Sequence, residues 1–167
     1  FHCRYEITNT EGYQMLLGFI RNHDMQLLSF MDHTPGQGQY RNLEFFKSQI
    51  MSSQQSEEEK ERILSQRMNR AKLTDEQLAV AADMALQAGI PIASHDDDSP
   101  EKLDYVTGSL HAEICEFPVE LEVAKEARRR GMQVVVGAAN ILMGRSHSNN
   151  LSALDAIRAG CADILVS

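Results

Sequence analysis

Tryptophan is absent from this chain and cysteine is scarce: Cys3, Cys115 and Cys161 stand alone, with no C-x-x-C spacing. An odd, scattered set excludes a disulfide framework and a zinc ribbon, and reads as reduced core thiols of a cytoplasmic protein. Positive charge is in deficit, with 16 Lys and Arg against 24 Asp and Glu and a net charge of -8. That balance excludes a general nucleic-acid binder, which needs a basic face against phosphates. No apolar run has the length of a membrane span, and no signal-peptide pattern is present. Neither G-x-G-x-x-G nor G-x-x-x-x-G-K-[ST] follows an apolar run, which removes the main support for a dinucleotide or P-loop site. The chain begins at Phe1 without Met and stops inside the apolar run Ile164-Leu165-Val166-Ser167, so it reads as an excerpt of a longer protein.

What is present is an alternation of strand-like and helix-like segments. The 167 residues are 43% hydrophobic and 24% charged, ordinary for one soluble domain with its own core. Residues 3–7 read as a strand, 11–22 as a helix capped by Thr10 with Leu16, Leu17 and Ile20 on one face, and 25–31 as the next strand. A polar stretch over about 40–72 reads as an insertion of polar helices. One of these starts at Ser56 with Glu57, Glu58 and Glu59, and has Arg67 and Arg70 at its far end. Both ends complement the helix dipole, and the charge run reads as a solvated face. Thr74-Asp75-Glu76-Gln77 is a capping box for a helix that Gly89 ends. Gly131 and Gly160 close two further helices, starting near Pro118 and Leu151, each before an apolar run at 133–136 or 163–166. Such units build a parallel sheet, either open and doubly wound or closed as a TIM-type barrel.

Two apolar runs end in histidine. Leu27 to Asp32 delivers His33, and Ile90 to Ser94 delivers His95. Parallel strands place both imidazoles on one rim, which points to a shared metal site for zinc or another divalent transition ion. Glu6, near the end of the first strand, supplies a third ligand candidate. Asp32 and Asp96 flank the histidines and suit ring orientation or substrate binding. Ser99 and Pro100 provide helix-start chemistry for the acidic run 96–98. Further on, Asn140, Arg145, Ser146, His147 and Ser148 follow a strand and precede a helix, a composition suited either to an anion pocket or to a polar loop. His2, His23 and His111 read as structural.

Taken together, the segments 29–39, 93–98 and 116–118, with Gly137-Ala138-Ala139-Asn140 and 144–150, resemble the phosphonate-metabolism hydrolases of the PhnM type, in the amidohydrolase superfamily. The resemblance extends from Glu6 to Ser167. It implies an α/β fold that is part of a TIM-type (β/α)8 barrel, roughly strands 4 to 8, with Glu6 ending the fourth strand, His33 the fifth and His95 the sixth. Residues 114–117 would be the seventh strand and 163–167 the start of the eighth. It further implies two divalent metal ions (zinc, manganese or iron), with Glu6 bridging them beside His33 and His95.

The implied activity of the full-length protein is hydrolysis of α-D-ribose 1-methylphosphonate 5-triphosphate to the 5-phosphate and pyrophosphate. Asp96, Asn140, Arg145, Ser146, His147 and Ser148 would contact that phosphorylated sugar phosphonate. The sequence departs from the family at Ala139, Arg145 and Asn149, where members carry Pro, Gly and Gly; Arg145 then adds a phosphate contact. The first-strand ligands and the aspartate expected after the eighth strand are absent from the segment, so the segment alone is expected to be inactive. Competing readings are an amidohydrolase acting on C–N bonds and a non-catalytic barrel-derived scaffold. Exposed barrel edges imply a homo-oligomer or pairing with a second piece of barrel.

Overall fold

The computed structural model describes residues 1–50, 54–143 and 151–166, with the backbone alone at 49, 50, 140, 142 and 143. Six parallel strands form one sheet in the order β1-β2-β3-β4-β5-β6. They are β1 His2–Glu6, β2 Leu27–Met31, β3 Ile92–His95, β4 Ile114–Glu116, β5 Gln133–Gly137 and β6 Ile164–Val166. The helices between them are α1 Tyr13–Arg21, α2 Leu43–Ile50, α3 Glu57–Met68, α4 Asp75–Gln87, α5 Pro100–Ser109, α6 Leu121–Arg129, α7 Ala138–Met143 and α8 Ala153–Arg158.

A doubly wound sheet reverses its strand order at a switch point. This order never reverses, so the open doubly wound alternative does not hold. Right-handed crossovers then stack the connecting helices on one face, as in part of a barrel wall. Six strands are one more than a numbering from fourth to eighth accommodates. The strand left out of that numbering is Gln133–Gly137, which pairs with β4 on one side and β6 on the other.

Alternation along the strands separates two chemistries. The register Tyr5↔Phe30↔Ser94↔Cys115↔Val134 runs along the helix-covered face. Tyr5, Leu28, Phe30, Ile92, Cys115, Val134 and Val136 join the main core there, packed with Leu16 and Ile20 of α1, Leu78 and Ala85 of α4, Leu103 of α5 and Ala124 of α6. The opposite register contains Arg4↔Ser29 and His95↔Glu116, with Glu6 two residues beyond Arg4. That second face therefore carries the charged strand residues, interspersed with Ala93, Ile114 and Val135.

Local signals explain most boundaries. Ser56 with Glu59 and Thr74 with Gln77 form reciprocal capping boxes. Gly89, Gly131 and Gly160 take φ of 67°, 83° and 67° just past helix ends, where a side chain would be strained. At the first helix, Asn9 rather than Thr10 accepts the capping bond, from Gly12 N, and a 3₁₀ turn precedes α1. Helix α6 begins at Leu121, later than Pro118, because the backbone of Val119 is engaged elsewhere and Glu120 is extended: the Val119 N–H donates to Asp97 O and its carbonyl accepts from Leu151 N. Helix α2 falls within the expected insertion of polar helices over 40–72, although its bounds were not read from the sequence; Asn42 Oδ1 accepts from Phe45 N to start it, and Phe46 buries against Leu64 of α3 in a small separate core. Helix α7 occupies the start of the expected polar loop after β5, with Ile141 packed on the main core.

Leu28 is fully buried in the second strand of the sheet. Leu28→Ala should lower unfolding free energy by about 2–5 kcal/mol in urea denaturation. Val80→Ala, on the exposed side of α4, should change it by less than about 0.5 kcal/mol.

Candidate metal centre

His33 lies two residues past β2 and is held by Glu6 from the neighbouring strand. Its backbone N–H donates to Glu6 Oε1 at 3.2 Å, and its ring Nδ1 lies 2.6 Å from Glu6 Oε2. A carboxylate only accepts, so Nδ1 carries the proton and the neutral ring presents the Nε2 lone pair. That is how a carboxylate orients a metal-ligating histidine. Nε2 is 3.7 Å from Asp96 Oδ2. The hydrogen bond to Glu6 raises the His33 pKa above its ordinary value, against the opposing effect of burial.

His95 ends β3, with its ring 5.6 Å from that of His33 and 5.2 Å from that of Phe117. Its Nδ1 lies 3.1 Å from Asp96 Oδ2. The approach is too oblique for a hydrogen bond, and both atoms are buried without a hydrogen-bond partner. His33, His95 and Asp96 each place one ligand atom within 4.8 Å of the others, the one such group among the described residues. Two imidazoles, a carboxylate and two unpartnered buried donor atoms fit a divalent transition ion. Arg4 Nη2 donates to His95 Nε2 at 2.7 Å. Once Nδ1 takes a metal, the ring proton belongs on Nε2, which a guanidinium cannot accept, so loading requires Arg4 to withdraw.

The loops after the two histidines lock together. Gly38 N donates to Asp98 Oδ2 at 2.7 Å. Gly38 has φ of 54°, and a Cβ there would sit 3.1 Å from Asp96 O and 3.2 Å from Asp96 Cβ. Asp96 itself adopts φ of 54°, a left-handed conformation that aspartate tolerates. Phe117 occupies the equivalent position past β4 with φ of 56°, a costly conformation for an aromatic residue.

The remaining acids have structural partners. Asp32 accepts from Lys72 Nζ at 2.8 Å and from Thr34 N at 3.0 Å. Burial pushes its carboxyl up, but the hydrogen bonds from Lys72, Thr34 and Gln37 outweigh that and hold it low. Asp97 is fully buried and accepts from Ser94 Oγ and, at 3.1 Å, from Cys115 Sγ. Burial raises its pKa despite those bonds, and burial together with Asp97 raises that of Cys115. Ser99, not an aspartate, caps α5. Deeper on the second face, Glu116 accepts from Ser29 Oγ at 2.8 Å, and His2 Nε2 lies 2.6 Å from the same hydroxyl.

Of the sequence-identified residues, the fold thus brings together Glu6, His33, His95 and Asp96, with Asp96 among the potential ligand atoms and Glu6 at the outer nitrogen of His33. Asn140 is part of α7, and its side chain lies outside the described residues. Arg145, Ser146, His147, Ser148 and Asn149 also lie outside them. Arg4 and Phe117 were missed as partners of His95. Arg4 carried a signal, since period-2 alternation puts it on the face of Glu6.

Comparison with curated proteins finds alpha-D-ribose 1-methylphosphonate 5-triphosphate diphosphatase of Escherichia coli (strain K12), 31% identical over 174 residues. The chain resembles this diphosphatase along its whole length. The aligned region is 99% of the chain and 44% of the diphosphatase, so the chain spans less than half of that relative. No family model matches. Among solved structures, the N-acetylneuraminic acid (sialic acid) synthetase from Leptospira borgpetersenii serovar Hardjo-bovis, in complex with citrate, superposes with a TM-score of 0.53 at 9% identity. That match covers 98% of the chain and 51% of the synthetase, and at this identity it concerns the fold alone.

Two outcomes follow from the geometry. In metal-free protein, Glu6→Gln should lower the His33 pKa, read by NMR titration of the ring. Because that pKa is raised in the folded state, the extra stability from pairing a charged His33 with Glu6 is present below the unfolded-state value and is lost as pH rises through the folded one, while the neutral ring keeps its Nδ1–H bond. Zinc uptake has the opposite dependence and should weaken as pH falls through the same value. Gly38→Ala should weaken zinc binding by about tenfold in calorimetry, since displaced outer-shell contacts cost about that much.

Proposed function

We propose that the full-length protein is a metal-dependent phosphoanhydride hydrolase that acts on a ribose phosphonate 5-triphosphate and releases pyrophosphate. In this reading the chain forms the wall of a partial (β/α)8 barrel with the site at the strand C-terminal ends. The observation that carries it is the sequence match to the diphosphatase over essentially all of the chain. The His33, His95 and Asp96 group, with His33 half-buried, supports metal use.

His33, His95 and Asp96 would hold the first ion, and Glu6 would fix the His33 ring. A divalent ion there supplies Lewis acidity toward a phosphoryl oxygen and lowers the pKa of an attacking water. Glu6 keeps the His33 proton on Nδ1, so that Nε2 stays available. Phe117, packed against His95, limits rotation of that ring and keeps water from one side of it. When Arg4 leaves His95 it remains on the same sheet face as Glu6, where its fork can contact a phosphoryl oxygen. We assign the segment with Asn140, Arg145, Ser146, His147 and Ser148 to anion contacts on the sugar phosphonate.

The test is an assay of full-length protein with zinc, manganese or iron on the ribose phosphonate triphosphate. Pyrophosphate and the 5-phosphate are expected in equal amounts, and chelation should stop turnover. His95→Ala should lower kcat/KM by at least about a hundredfold, given what removal of one metal ligand does to such sites. Ammonia release from cyclic amides without pyrophosphate release would reject the reading.

A further inference from the structure

Arg67 and Arg70 come from the far end of the polar insertion, and their sequence context explains them only as complements to a helix dipole. That explanation fits Arg67, in the last turn of α3, but not Arg70, which follows the C-cap residue Asn69. In the fold both arginines line a cavity of about 300 Å³ together with Glu6, Thr8, His33 and Thr34. The insertion thus bends back over the metal centre. Both arginines therefore border the same opening as the Glu6–His33 pair.

Among the described residues, neither arginine has a carboxylate partner, whereas Arg41, Arg128, Arg129 and Arg130 are each ion-paired. The Arg67 guanidinium lies 5.6 Å over the ring of Phe46. Phe46 is itself fully buried against Leu64 and Tyr40. The ring positions the planar fork without neutralising it, leaving its N–H donors for another acceptor. A protein of net charge -8 repels a polyanion at distance and needs local positive charge wherever one must dock. Thr8 and Thr34 line the same cavity.

The geometry points to Arg67 and Arg70 as a clamp for the polyphosphate end of the substrate, outside the metal centre. This rests on the hydrolase reading for the substrate class, while the anion site itself stands on the cavity. Paired guanidinium forks match phosphate oxygens in bidentate fashion and discriminate a triphosphate from a monophosphate by the number of contacts. The α2–α3 insertion is then the element that sets specificity for chain length.

The test uses the full-length protein with Arg67→Gln/Arg70→Gln, the single Arg70→Gln, and Arg67→Lys/Arg70→Lys. Inorganic triphosphate binding is measured by calorimetry at two salt concentrations, and KM and kcat are measured on the ribose phosphonate triphosphate. The double Gln variant should lose at least about tenfold in triphosphate affinity and raise KM by a similar factor, with a smaller change in kcat. The salt dependence of binding should flatten, and the Lys variant should recover part of the loss. Arg70→Gln, at an exposed position beyond the helix, provides the same readout if the double variant folds poorly. Unchanged triphosphate affinity and KM would overturn the clamp even if pyrophosphate is released. Triphosphate binding that depends on both arginines, in a protein that releases no pyrophosphate, would keep the clamp and overturn the hydrolase reading.

Discussion

The period-2 alternation of six parallel strands is the constraint on which the rest of the molecule depends. It sends Tyr5, Phe30, Ile92, Cys115 and Val134 toward the helices, where burial drives folding. By the same geometry it sends Arg4, Glu6, Ser29, His95 and Glu116 to the other side. A slip of one residue in any strand would exchange the two sets. The residues that stabilise the sheet and those that line its candidate site are therefore specified together. The register His95↔Glu116 also aligns the two left-handed residues that follow, Asp96 and Phe117.

Above the sheet, contacts between consecutive loops determine where the donor atoms lie. Gly38 lets the loop after His33 approach the backbone of Asp96, and Asp98 ties the two loops with a hydrogen bond. Lys72 and Asp32 anchor the base of the same region. The acidic run after His95 thus divides its labour: Asp96 faces the histidines, Asp97 turns into the core and Asp98 holds a neighbouring loop. Only the first of the three has its side chain in the metal centre.

Much of this was legible in the sequence because the signals were local. Capping boxes at Ser56 and Thr74, glycines at 89, 131 and 160, and histidines at strand ends follow from short-range geometry. The pairing of His33 with His95 followed from parallel strand topology. What stayed hidden depended on contacts between distant segments. The carboxylate grouped with the histidines is Asp96, because Glu6 turns both its oxygens toward His33, a choice that spacing does not encode. The bounds of α2, inside the expected polar insertion, are hidden for a similar reason: its apolar residues find their partner in α3, across a polar stretch. The strand at 133–137 was visible as a strand, and only its place in a barrel numbering failed.

The hydrogen bond from Arg4 to His95 has a consequence for charge balance. Glu6 and Asp96 bring two carboxylates to His33, and Arg4, which donates to His95, adds a positive group on the same sheet face. A metal ion bound beside His95 would therefore take the place of a standing positive group rather than fill a bare anionic hole.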